Sequence, residues 1–142
     1  MVIAVDFDGT IVQHEYPRIG KEIPFAIDTL KMIQKEFRHQ LILWTVRDGK
    51  ELDEAIEFCR ARGLEFYAAN ANYPEEVFGK GISRKVNADL FIDDRSLGGL
   101  PDWGVIYRMI KHEKCFEPPV SDVQNEYEVK KKGFFSSLFG GE

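Results

Sequence analysis

Val2-Ile3-Ala4-Val5-Asp6-Phe7-Asp8-Gly9-Thr10 is the stretch whose reading decides the fold. An apolar run ends in two carboxylates spaced by one residue, followed by glycine and threonine. The run reads as a strand buried on both faces, residues 2–7. Gly9 lets the backbone turn sharply after it. Open α/β sheets bind their ligands at the carboxyl ends of their strands, which is where Asp6 and Asp8 would sit. Two acids that close repel each other unless a cation or a shared proton compensates.

Outward from that strand, helical and strand patterns alternate. A loop over 11–21 precedes a helix over 24–38, with Phe25, Ile27, Leu30, Ile33 and Phe37 near helical spacing and Pro24 in the first turn. Gln40–Val46 reads as a second buried strand. A helix over 50–62 places Leu52, Ile56 and Cys59 on one face, and Gly63 stops it. Leu64–Ala68 reads as a short third strand and Ala88–Asp93 as a fourth. Val105–Tyr107 reads as a short fifth strand, with a final helical turn or two beyond. Residues 70–87 stay ambiguous, broken by Pro74, Gly79 and Gly81. Such alternation predicts an α/β fold: a mostly parallel five-stranded sheet with helices on both faces, a three-layer α/β/α arrangement.

Four stations along this framework carry chemistry. Asp6 and Asp8 end the first strand. Thr45-Val46-Arg47 ends the second, where a hydroxyl, a helix start and a planar cation suit a phosphate oxygen. Thr45 also suits a helix cap, and Arg47 reads equally as a surface ion-pair residue. Lys85, with Lys80 as rival, precedes the fourth strand. Asp93-Asp94 ends that strand. Parallel strands point their carboxyl ends one way, so Asp6, Asp8, Thr45, Asp93 and Asp94 gather on one rim. Three or more carboxylates in one crevice make a hard oxygen site that selects Mg²⁺. A metal, a phosphate clamp and a spare carboxylate point to phosphoryl transfer.

In order and spacing, these stations resemble the haloacid dehalogenase superfamily of phosphohydrolases. The resemblance covers residues 1 to about 95. It implies a Rossmann-like fold and a Mg²⁺-dependent phosphomonoester hydrolase working through an aspartyl-phosphate. Asp6 would be the nucleophile and a metal ligand. Asp8 would serve as general acid and then base, with its main-chain carbonyl on the metal. Thr45 and Lys85 would hold phosphoryl oxygens, and Gly9, Val46 and Arg47 join them as phosphate-binding residues. Asp93 and Asp94 would hold the metal, with their division of labour open. The intervals from Thr10 to Thr45 and from Thr45 to Lys85 are too short for an inserted domain, so the chain reads as a member without a cap.

Composition bounds the rest. The chain has 142 residues, 44% of them hydrophobic, enough for one domain with a core. That domain is read as residues 1–113, with 114–142 as a tail that is extended or packed on the domain or a neighbouring subunit. A net charge of −5 argues against non-specific nucleic-acid binding and not against a small anionic substrate. The partner expected is a phosphorylated substrate, small or macromolecular, with a homo-oligomer left open. No apolar run reaches the ~18 residues of a membrane span, and no signal peptide is read. Cys59 and Cys115, the two cysteines, read as free thiols in the cytoplasm. The tail run Lys130–Phe139 is basic and then aromatic, too short for a stable membrane anchor. Two rivals remain: a phosphotransferase and a silent phospho-ligand-binding module on the same fold. A signalling receiver domain would need an aspartate on the third strand, which Glu65-Phe66-Tyr67 does not offer.

Overall fold

The structure, a computed structural model, describes residues 1–77 and 79–116. Four strands form one sheet: β1 (Val2–Val5), β2 (Gln40–Leu43), β3 (Ala68–Ala69) and β4 (Leu90–Ile92). Their order is β3-β2-β1-β4, and every pairing is parallel. Val5 lies opposite Leu43 on one side and Ile92 on the other, so the carboxyl ends of the central strands are level. Three helices accompany them: α1 (Ala26–Phe37), α2 (Gly49–Arg60) and α3 (Trp103–Lys111).

The two crossovers β1–α1–β2 and β2–α2–β3 walk the same way across the sheet. Right-handed connections then put α1 and α2 on one face. The packing agrees. Ile3 and Val5 of β1, with Leu41 and Leu43 of β2, share a core with Leu30 and Ile33 of α1 and Ala55 and Cys59 of α2. Trp103, Ile106 and Ile110 of α3 join that same core. Alternate strand residues point the other way. Ala4, Ile42 and Ala68 form a smaller cluster with Val86, and Ala71, Ala88, Trp44 and Phe91 pack beside it. Among the described residues, then, the second face is covered by part of the irregular 70–89 segment and not by a helix. The expected second helical layer is corrected to that extent. Helices need an apolar stripe, and this segment is interrupted by Pro74, Gly79 and Gly81.

The expected fifth strand is a helix. Val105–Tyr107 lies inside α3, where the Asp102 side chain accepts a hydrogen bond from the Gly104 N–H at 2.8 Å and so caps the first turn. Trp103, Ile106 and Ile110 recur at helical spacing and are buried together. Element edges also move. Phe25 is left-handed with φ 69°, so α1 begins after it and Pro24 stands outside the helix. Past Leu43 the Trp44 N–H still donates to the Val5 carbonyl at 2.8 Å, and only then do main-chain donors turn to side chains. The Thr45 N–H donates to Asn70 Oδ1 at 2.8 Å. The Leu64 N–H still turns back to the Cys59 carbonyl at 3.0 Å, closing the turn that follows α2, and β3 begins only at Ala68. Both cysteines are free, and burial pushes the Cys59 thiol up to about 12. No helix among the described residues is long and apolar enough to cross a membrane. Of the tail read over 114–142, residues 117–142 lie outside the described residues.

Candidate functional site

Neighbouring parallel strands in level register bring β1 and β4 to one point. After Val5 and Ile92 the chains leave the sheet as Asp6 and Asp93, and the Asp6 N–H donates to the Ile92 carbonyl at 3.0 Å. Asp94 is drawn in by Thr10, whose hydroxyl oxygen accepts from the Asp94 N–H at 3.1 Å. The same hydroxyl donates toward Asp6 Oδ2 at 3.5 Å. Gly9 has φ +90°, and a Cβ there would overlap Asp94 Oδ2. Glycine at this turn thus permits both the backbone angle and the close approach of the carboxylate. The result is one carboxylate oxygen each from Asp6, Asp93 and Asp94, all within 4.8 Å of one another.

Among the described residues no ion pair reaches Asp6, Asp93 or Asp94. Asp6 is pushed up to about 7, first by burial and then by the charges of Asp93, Asp94 and Asp8, against an opposing main-chain hydrogen bond at Phe7. Asp94 Oδ1 is buried with no hydrogen-bond partner. Asp93 Oδ1 accepts from the Arg95 N–H at 2.8 Å. A buried carboxylate oxygen without a donor is unfavourable unless something binds it. An all-oxygen donor set that close suits a hard cation, so the cluster could hold a metal ion.

Asp8, two residues on, has the opposite surroundings. Its Oδ2 accepts from Arg47 Nε at 2.7 Å and its Oδ1 from Arg47 Nη2 at 2.8 Å. Arg47 is 0% exposed and Asp8 3%. The guanidinium also donates to the carbonyls of Pro17 at 2.9 Å and Arg18 at 2.8 Å, and lies over the rings of Phe7 and Tyr16. Asp8 raises the Arg47 guanidinium still further above its ordinary range, chiefly by hydrogen bonding. Arg47 is therefore not a surface residue, and its Nε, Nη1 and Nη2 all donate to oxygens of the protein. It is a buried clasp joining the end of β1, the end of β2 and the loop at 17–18. The carboxylate of Asp8 is not part of the acidic cluster; its expected metal contact runs through its main-chain carbonyl.

The other expected phosphate ligands divide. Thr45 reaches the rim after β2, but its Oγ1 accepts from the Arg47 N–H at 3.2 Å, closing a local turn. Val46 is 83% exposed at the same rim. The Gly9 N–H donates to the Val12 carbonyl at 2.7 Å and so faces its own loop. Lys85 is exposed, with Nζ 5.0 Å from the centroid of the Phe91 ring, and makes no ion pair among the described residues. Lys80 is exposed as well.

Two residues to which the sequence reading gave no organising role complete the arrangement. Thr10 links Asp6 to Asp94, and its buried hydroxyl within an Asp-Gly-Thr turn was the available signal. Asn70, left-handed at φ 51°, accepts from Thr45 and donates through Nδ2 to the Arg47 carbonyl at 3.0 Å. It fixes the turn that carries Thr45 to Arg47. Asn72 serves the irregular segment, its Oδ1 accepting from the Asn87 N–H at 2.6 Å.

No protein-family model matches the chain, and no curated protein does. A solved structure does. It is described as the structure of the conserved protein coded by a locus from Bacteroides thetaiotaomicron, and it is 68% identical to this chain with a TM-score of 0.78. The match covers 85% of this chain and 98% of that one. The chain belongs to the same family as that conserved protein. The identity and the TM-score together show that the two chains share their fold.

Proposed function

We propose that this protein is a Mg²⁺-dependent phosphohydrolase of the haloacid dehalogenase type, with Asp6 as the nucleophile. The observation that carries the reading is the convergence of Asp6, Asp93 and Asp94 at the carboxyl end of the sheet, with the buried Asp94 Oδ1 left unpartnered. Asp6, Asp93 and Asp94 would hold the ion. When bound, it supplies charge neutralisation for the phosphoryl oxygens and for the carboxylates themselves.

Asp6 carries the chemistry. Without a cation it is pushed up to about 7, which leaves a large share protonated and poorly nucleophilic at neutral pH. Positive charge beside it favours the ionised form. One Asp6 oxygen attacks phosphorus, the ester P–O bond breaks, and the electron pair leaves on the departing oxygen. Water then attacks phosphorus and frees the Asp6 carboxylate. Thr10 orients the nucleophile through its hydroxyl. Exposed Val46 and the Thr45 turn form the wall on the β2 side. In this reading Asp8 gives a proton to the departing oxygen and takes one from the attacking water, and with Arg47 bonded to both of its oxygens only their remaining lone pairs serve that transfer.

The reading extends to the fold. A level parallel sheet with acids on its carboxyl rim supports a Rossmann-like arrangement of the haloacid dehalogenase kind. Loops, α1 and β2 stand between Thr10 and Thr45, and α2, β3 and irregular chain between Thr45 and Lys85, which supports a member without a cap. Two free cysteines support a cytoplasmic location.

The test is phosphate release from a panel of phosphate esters, with and without Mg²⁺, beside Asp6→Asn. Release that needs Mg²⁺ and vanishes in Asp6→Asn supports the reading. Release that persists in Asp6→Asn removes Asp6 as nucleophile.

A further inference from the structure

Arg95 directly follows Asp94, and its surroundings differ from those of the buried Arg47. Its main chain is fixed by the hydrogen bond from its N–H to Asp93 Oδ1 at 2.8 Å. Its side chain crosses to the loop after β1, where Nη2 lies 3.1 Å from His14 Nε2. A guanidinium has no acceptor, so Nη2 donates and His14 Nε2 accepts, which puts the ring proton on Nδ1. This bond joins the loop that follows Asp6 to the loop that carries Asp93 and Asp94. The pair therefore links the two loops that supply the acidic cluster.

Three further observations give the pair a use. Arg95 is exposed and makes no ion pair among the described residues, although Asp93 and Asp94 stand next to it in sequence. Where Arg47 spends its N–H groups on Asp8, Pro17 and Arg18, Arg95 shows one side-chain bond, to His14. Most of its planar fork faces outward and can take a carboxylate or phosphate bidentately. Finally, the loop that carries His14 is pinned a few residues on, where Arg47 holds the Pro17 and Arg18 carbonyls. His14 is thus presented by an anchored loop.

We propose that Arg95, oriented by His14, binds a second anionic group of the substrate, so that the preferred substrates are phosphate esters bearing a further carboxylate or phosphate. The proposal rests on the phosphohydrolase reading above. The phosphoryl group to be cleaved goes to the acidic cluster and its ion. The second anion sits one residue beyond it on the Arg95 fork.

The experiment uses the full chain with Mg²⁺ and two matched pairs: 3-phosphoglycerate against glycerol 3-phosphate, and 4-carboxyphenyl phosphate against phenyl phosphate. The carboxylate member of each pair is expected to have a kcat/KM about tenfold higher, through KM, as one charge-assisted bidentate contact provides. Arg95→Gln is expected to erase that gain while leaving the members that lack the carboxylate within about twofold, and Arg95→Lys to keep part of it. Equal kcat/KM within the pairs overturns the proposal. So does an Arg95→Gln variant that weakens all four compounds equally and raises the Mg²⁺ needed for half-saturation, because Arg95 would then only balance the charge of Asp93 and Asp94. If no compound is turned over, the phosphohydrolase reading fails by itself. Calorimetric binding of the same four compounds then decides the pair: a carboxylate preference lost in Arg95→Gln supports it, and no preference overturns it.

Discussion

Asp6 and Asp8 are two residues apart on one loop and have opposite electrostatic surroundings. Asp8 meets a buried guanidinium with both of its oxygens. Asp6 meets two further carboxylates, and one of their oxygens is buried without any partner. A matched buried charge pair is structure: it needs nothing more, and removing either half leaves the other exposed to a low dielectric. The half-buried cluster of Asp6, Asp93 and Asp94 has no such partner and could hold a metal ion. The contrast separates scaffold from site within a single turn of chain, and each of the following measurements breaks or sharpens it.

The largest effect comes from breaking the matched side. Arg47→Met keeps much of the bulk but strands the Asp8 carboxylate and frees the Pro17 and Arg18 carbonyls. Loss of one partner of a buried pair costs about 3–5 kcal/mol, a large part of a typical domain stability. Urea unfolding of Arg47→Met should show that loss in the midpoint. The double variant Arg47→Met/Asp8→Leu should recover part of it, because no charge is then left unpaired. A loss under about 1 kcal/mol in the single variant would mean the pair is not buried as the structure has it.

The unmatched side responds in the reverse direction. Mg²⁺ at a hundred times its dissociation constant should raise stability by about 2.7 kcal/mol. In Asp94→Asn the increment should shrink sharply, while the apo variant should be no less stable than apo wild type, because it has shed a charge from a crowded cluster. Thermal melts with Mg²⁺ and with a chelator read both. An unchanged increment in Asp94→Asn would take Asp94 out of the ion site.

A pH series sharpens the same point. Asp6 stands at about 7 in the folded chain against 3.8 for its ordinary value. Between those values the folded state holds more protons than the unfolded one, so stability falls as pH rises through that window and levels off above about 7. The group is partly open to solvent, which moderates the size of the fall. Urea midpoints at pH 5 and pH 8 in chelator should show it for wild type, and Asp6→Asn should lose the downward component. An Asp6→Asn chain with the same slope as wild type would assign the slope to other groups.

The sequence made one half of this contrast legible and hid the other. Apolar runs ending in Asp6 and Asp93-Asp94 placed acids on two strand ends, and parallel pairing in level register did the rest. Helix–strand alternation likewise located α1, α2 and β4 to within a few residues. The burial of Arg47 and its pair with Asp8 were not legible because residue type says nothing about a partner 39 positions away. The second face was misread because an irregular segment that covers a sheet with Ala71, Val86 and Ala88 has no periodicity to detect. The helix α3 was recoverable. Val105-Ile106-Tyr107 looks like a strand in isolation, yet Asp102 ahead of it is a cap and Trp103, Ile106 and Ile110 keep helical spacing.

Lys85 gives the smallest effect on stability and tests how far the sequence order can be trusted against the geometry. Its ammonium lies over Phe91, beside the minor cluster of the second face, at an exposed position. An exposed cation over a ring contributes about 0.5 kcal/mol or less, so Lys85→Met should shift the unfolding midpoint by that much and no more. Its station before β4 is nevertheless where the family resemblance expects a phosphate clamp. The two views separate cleanly in kinetics. If the clamp is Lys85, Lys85→Met loses at least about tenfold in kcat/KM at nearly unchanged stability, since one charge-assisted contact to a phosphoryl group is gone. If activity is unchanged in Lys85→Met and falls in Lys80→Met, the rival lysine holds the phosphate, and Lys85 belongs with Arg47 to the scaffold side of the contrast.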